Sequence, residues 1–135
     1  MSLAVLGMAV FGASAEEPKS LTARPDLVIG AFIDAQMRSD ANIFNEILEE
    51  DAMLNVSRGK GVMKHSKKQL ISFYKKTGIV VMNCTADYKI ISQNENIILS
   101  RVDFKFDHFT QQNYITIEKD KNNAWKVVNI NRFNV

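Results

Sequence analysis

Cysteine occurs once in these 135 residues, at Cys84, so no internal disulfide staples the chain. Histidine occurs twice, at His65 and His108, and a metal site built on either would have to borrow carboxylates that no spacing supplies. No G-x-S-x-G, no glycine-rich phosphate loop and no Cys/His pair of recognisable spacing is present. These absences leave no candidate catalytic residue, no metal ligand set and no cofactor motif. Net charge is +2, too small an excess to argue for a nucleic-acid partner. The basic residues are not interleaved with aromatics as single-strand binding requires. No repeat or low-complexity segment breaks the chain. What remains is 46% hydrophobic and 24% charged, the balance of one globular domain with a real core.

The N-terminus begins with an apolar run from Leu3 to Phe11, followed by Ala13-Ser14-Ala15. That is the order of a secretory h-region and an A-x-A cleavage site, although a basic n-region is missing. The run is too short to span a membrane. Residues 1–15 therefore read as a signal-peptide-like segment, 16–24 as a linker and 25–135 as a single domain. The expected mature chain starts near Glu16, has no membrane span and is secreted or periplasmic.

Pro25 suits a first helical position. The following DLVIGAFIDAQMR is apolar almost all round, as in a helix enclosed by other elements. Asp40 is placed to cap a second helix with an Ile43, Phe44, Ile47, Leu48 stripe. Met53 to Ser57 suits a short strand, and Gly59 and Gly61 punctuate a turn. Ser66 and Gln69 form a capping box for a third helix that ends on Lys75, Lys76 and Gly78. From 79 the period becomes two. Val80, Met82, Cys84, Ala86, Tyr88 and Ile90 share one face, which makes Cys84 a small buried hydrophobe and not a reactive thiol. Val102, Phe104 and Phe106 repeat the pattern over 97–109, with further strands at about 112–119 and 124–133. Helices first and a meander of strands after predict an α+β fold: three N-terminal helices packed in a strongly curved antiparallel sheet.

The segments AFIDAQMRSDANIFNEILEEDAMLNV and AWKVVNINRF carry a resemblance to the nuclear transport factor 2-like superfamily, which includes ketosteroid isomerase and SnoaL-like proteins. The chain also looks similar to exported bacterial members of unassigned function. The resemblance implies a cystatin-like cone, a bent sheet around the first helix with a cavity at its wide end. Its motifs speak for fold far more than for function. With Asp40 and Asp51 fixing the register, the family's catalytic tyrosine falls on Phe32 and its general-base aspartate on Val56. Neither residue moves a proton, so isomerase chemistry is not expected. The carboxylates Glu46, Glu49, Glu50 and Asp51 read as a solvated helix face.

Three functions stay open. The first is a small-molecule-binding or accessory domain with a non-catalytic cone pocket for an apolar or amphipathic ligand. Its candidate lining is Phe32, Gln36, Met53, Asn55, Tyr74, Tyr88, Phe104, His108 and Tyr114. The second is an enzyme built around His108. The third is an interaction module using the strip from Arg58 to Lys76, which has seven basic residues and no acidic one. The apolar residues of the last two strands also predict a homodimer, with Ile115, Ile117, Val128 and Ile130 at the interface.

Overall fold

The computed structural model describes residues 20–135. The signal-like segment 1–15 and the first part of the linker lie outside the described residues. The remainder of that linker is not loose. Thr22 is buried, its carbonyl accepts the Trp125 amide at 2.8 Å, and Leu21 packs on the core.

The elements run α1 (Pro25–Arg38), α2 (Ala41–Ile47), β1 (Leu48–Arg58), β2 (Gly61–Ser66), α3 (Lys67–Thr77), β3 (Thr85–Gln93), β4 (Ile97–Lys105), β5 (Thr110–Lys119) and β6 (Trp125–Asn134). Proline opens α1, and Ser39 closes it in the left-handed region with φ 54°. The Asp40 carboxylate accepts the amides of Asn42 and Ile43 and starts α2. The capping box at the head of α3 is formed in both directions between Ser66 and Gln69.

The six strands make one sheet in the order β2-β1-β6-β5-β4-β3. Two expectations are corrected here. The helices do not all precede the sheet, because β1 and β2 come before α3. The sheet is not wholly antiparallel, because β1 pairs parallel with β6. The short strand expected at Met53 grows to eleven residues, and the turn at Gly59 and Gly61 is a hairpin loop whose Gly59 takes φ 59°. Residues 79–84 are not strand. Val80 and Met82 instead donate their amides to the carbonyls of Arg38 and Met37 at the end of α1.

Register breaks in β1 near Leu48–Met53, in β3 at Ile90–Ser92 and in β5 at Thr116–Ile117 bend the sheet. The helices lie in its concave side. Ile98, Val102, Phe104, Ile115, Ile117, Val127, Ile130 and Leu54 point inward and meet Val28, Ile29 and Phe32 of α1. An aromatic chain crosses this core: Tyr74 stacks on Phe44 at 4.8 Å, Phe44 meets Phe32 edge-on at 6.1 Å, and Phe32 reaches Phe104 at 6.3 Å.

Burial also places the expected dimer residues. Ile115, Ile117 and Ile130 are at most 1% exposed, so they fill the core and offer nothing to a second subunit. Only Val128, beside the register break, is partly open. Both alternations of β5 and β6 carry apolar residues, so the pattern alone does not say which one faces the helices.

Candidate functional site

At the open end of the cone a cavity of about 400 Å³ lies between α3 and strands β1, β2 and β6. Leu54 and Val56 reach it from β1, Leu70, Phe73 and Tyr74 from α3, and Arg132 from β6. His65 and the exposed Arg58 stand at its wall and rim. The pleat explains the selection. Leu54 pairs with Ile130 and Val56 with Arg132, so these four share the inward alternation.

Arg132 is the unusual member. Its Nε donates to Asn113 Oδ1 at 2.6 Å and its Nη2 to Gln36 Oε1 at 3.2 Å. The Tyr74 hydroxyl donates to the same Gln36 oxygen at 3.1 Å. Asn113 is fully buried, and its Nδ2 donates to Val102 O and Gln111 Oε1 at 3.3 and 3.2 Å. Gln36 Nε2 reaches Gln111 Oε1 at 3.4 Å. The result is one connected polar floor beneath an apolar wall. Burial pulls the Arg132 pKa below its ordinary value, while the neighbouring Tyr74 hydroxyl acts the other way. The guanidinium nonetheless stays charged at neutral pH.

The nine expected lining residues divide sharply. Tyr74 lines the cavity and Gln36 anchors its floor. Phe32 and Phe104 have no exposure and plug the core beyond it. Asn55 faces the outer side, where its Nδ2 donates to Asn129 and Asn131, and Met53 shares that alternation. Tyr114 is also on the outer side, stacked on Phe133 at 5.6 Å. Tyr88 lies on the edge strand β3, 49% exposed. His108 is exposed in the turn after β4 and does not continue that strand. No group of three or more His, Cys, Asp or Glu side chains clusters as a metal site among the described residues.

Arg132 and Asn113 were missed from sequence. The signal was there for Arg132: in VVNINRF it falls on the same alternation as Ile130, a basic residue on an apolar face. The carboxylates Glu46, Glu49, Glu50 and Asp51 stay outside the cavity, and Glu50 instead pairs with Lys67 at 3.3 Å. Lys67 is itself buried and also donates to Leu48 O at 2.9 Å, so the basic strip is interrupted. Its outer residues Lys68, Lys75 and Lys76 line a separate open groove of about 630 Å³.

No family model and no curated protein matches this chain. Solved structures do. A nuclear transport factor 2-like protein of unknown function from Silicibacter pomeroyi superposes with a TM-score of 0.68 at 14% identity, over 86% of this chain and 93% of that one. A nuclear transport factor 2-like protein from Cytophaga hutchinsonii gives 0.66 at 15% identity, over 83% and 98%. A putative ketosteroid isomerase from Parabacteroides distasonis gives 0.57 at 17% identity, over 88% and 94%. At these identities the likeness is one of fold and carries no activity across. The chain has the nuclear transport factor 2-like, ketosteroid isomerase-like cone fold.

Proposed function

We propose that this chain is a small-molecule-binding domain that works through the cavity at the mouth of its cone. The observation that carries this reading is a cavity of about 400 Å³ with apolar walls over a hydrogen-bonded polar floor. Ligand sites of this size are commonly mostly apolar with a few convergent polar groups. The residues at the family's two catalytic positions are Phe32 in the core and Val56 in the cavity wall. They favour holding a ligand over moving its protons. Native mass spectrometry of protein purified from its own host tests the reading. A bound small molecule on the wild type and none on Val56→Trp, which fills the cavity, is the expected result. A ligand-free wild type with no affinity for small organic molecules would overturn it.

The proposal includes export and dimerisation. The apolar run before Ala13-Ser14-Ala15 supports export, and an intact Met-Ser-Leu terminus on native protein would refute it. No helix among the described residues is long and apolar enough to cross a membrane. The outer face of β4, β5 and β6 supports a dimer, since Leu99 and Tyr114 are 41% and 36% exposed and Tyr114 stacks on Phe133. A second copy packed isologously covers such a face. Light scattering is expected to give a dimer that Tyr114→Asp dissociates. A wild-type monomer would remove this part of the proposal.

A second reading, an interaction module, is favoured by the groove that Lys68, Lys75 and Lys76 line. Retention on heparin that weakens steeply with salt is its expected signature, and elution indifferent to salt would dismiss it.

A further inference from the structure

Every described ion pair in this protein has a carboxylate, and none of them involves Arg132. Asp26 pairs with Arg24, Asp40 with Arg38, Glu50 with Lys67, Asp103 with Arg101 and Asp87 with Lys105. Arg132 is held by two neutral amides, Asn113 and Gln36, with the neutral Tyr74 hydroxyl beside it. A half-buried charge such as this one is ordinarily paired, because neutral amides do not compensate a full positive charge.

The arrangement also has a direction. A guanidinium presents five N–H donors in a planar fork. Asn113 takes the Nε donor and Gln36 takes one on Nη2. Nη1 has no hydrogen-bond partner among the described residues, and Arg132 lines the cavity. The unused end, with Nη1 and the second N–H of Nη2, is the end that grips a planar two-oxygen anion with two parallel bonds. Fixing the other end beforehand cuts the ordering cost of that grip. Above it, Leu54, Val56, Leu70 and Phe73 offer apolar wall.

Resting on the reading of this cavity as a ligand site, we propose that its ligand is a monocarboxylate with an apolar body, held by a two-point contact with Arg132. Charge selects the carboxylate over a phosphate ester. One guanidinium balances one negative charge, whereas a dianion would leave half its charge facing apolar wall. The second cation at the cavity, Arg58, is exposed at the rim, where water screens it.

The test uses the full chain, isothermal titration calorimetry at low salt, and three probes that each carry one phenyl ring: phenylpropionate, its amide and phenyl phosphate. The expected result is that wild type binds the acid at least about tenfold more tightly than the amide or the phosphate. Arg132→Gln should abolish the preference for acid while leaving the amide affinity in place, and Arg58→Gln should keep the preference. Equal affinity for acid and amide overturns the carboxylate assignment and leaves the pocket standing. Binding of none of the three overturns both. Tighter binding of phenyl phosphate replaces carboxylate with phosphate and overturns the proposal as stated. Loss of the preference in Arg58→Gln would move the anion to the rim and overturn it as well. If Arg132→Gln fails to fold, the wild-type comparison and Arg58→Gln still decide.

Discussion

Along the inward face of β5 the residues read Ile117, Ile115, Asn113, Gln111, and along β6 they read Val127, Ile130, Arg132. One end of the cone is therefore hydrocarbon and the other is amide and guanidinium, on the same two strands. The apolar end does what any core does, since burying a large aliphatic side chain stabilises by about 1.5–3 kcal/mol. The polar end contributes little net stability, because each buried hydrogen bond there replaces one to water. A fold that wanted only stability would continue the isoleucines. The contrast separates what holds the cone together from what its mouth is for.

The sharpest way to break the comparison is Ile117→Lys. With Ile117 fully buried, a lysine there sets an unpaired charge in hydrocarbon, and a loss of about 4 kcal/mol or more is expected in urea denaturation. Had Ile117 been an interface residue, the same change would have split a dimer and left the subunit folded. Arg132→Met at the other end should cost about 2 kcal/mol or less. Gln36 Oε1 keeps its Tyr74 donor, and only the buried Asn113 Oδ1 loses one. A loss as large as that of Ile117→Lys would erase the distinction between the two ends. Smaller again is Asp40→Ala, which removes the cap of α2 and should cost about 1 kcal/mol by the same measurement.

The smallest effect lies in the β5–β6 turn. The backbone amides of Ala124 and Asn122 hold the Asp120 carboxyl below its ordinary value of 3.8. A group whose pKa is lower in the folded protein adds stability above its unfolded value and loses it as pH falls through the native one. Wild type should therefore lose slightly more stability than Asp120→Asn as pH drops below about 4. Identical acid titrations of the two proteins would show that the turn contributes nothing.

Sequence carried the local features well. The span of α1, the Asp40 cap, the Ser66 box and the inward row Val102 and Phe104 all depend on near neighbours, and the structure has them as expected. What failed depends on partners far along the chain. Strand β2 is exposed over most of its length, so GVMKHS has no alternation to read. The parallel pairing of β1 with β6 leaves no local trace. Residues 79–84 look like a strand because they alternate, yet their amides are taken by the end of α1. The site suffered most from register. Choosing Asn55 and Met53 over Leu54 and Val56 is a slip of one residue, and one residue turns every side chain to the other face.

The strand order has a consequence for how this protein is made. The sheet runs β2-β1-β6-β5-β4-β3, so β6, the last of these six strands to be synthesised, lies between β1 and β5. Until it arrives, the emerging chain holds two separate pieces of sheet, a hairpin with the helices on one side and a three-stranded meander on the other. The contact that joins them, Leu54 with Ile130, closes a loop of more than half the chain. Pairings at such separation form late and slowly. Until β6 pairs, the inner face of the meander lacks its neighbour, and unpaired strand edges of this kind are where a partly folded chain is prone to aggregate.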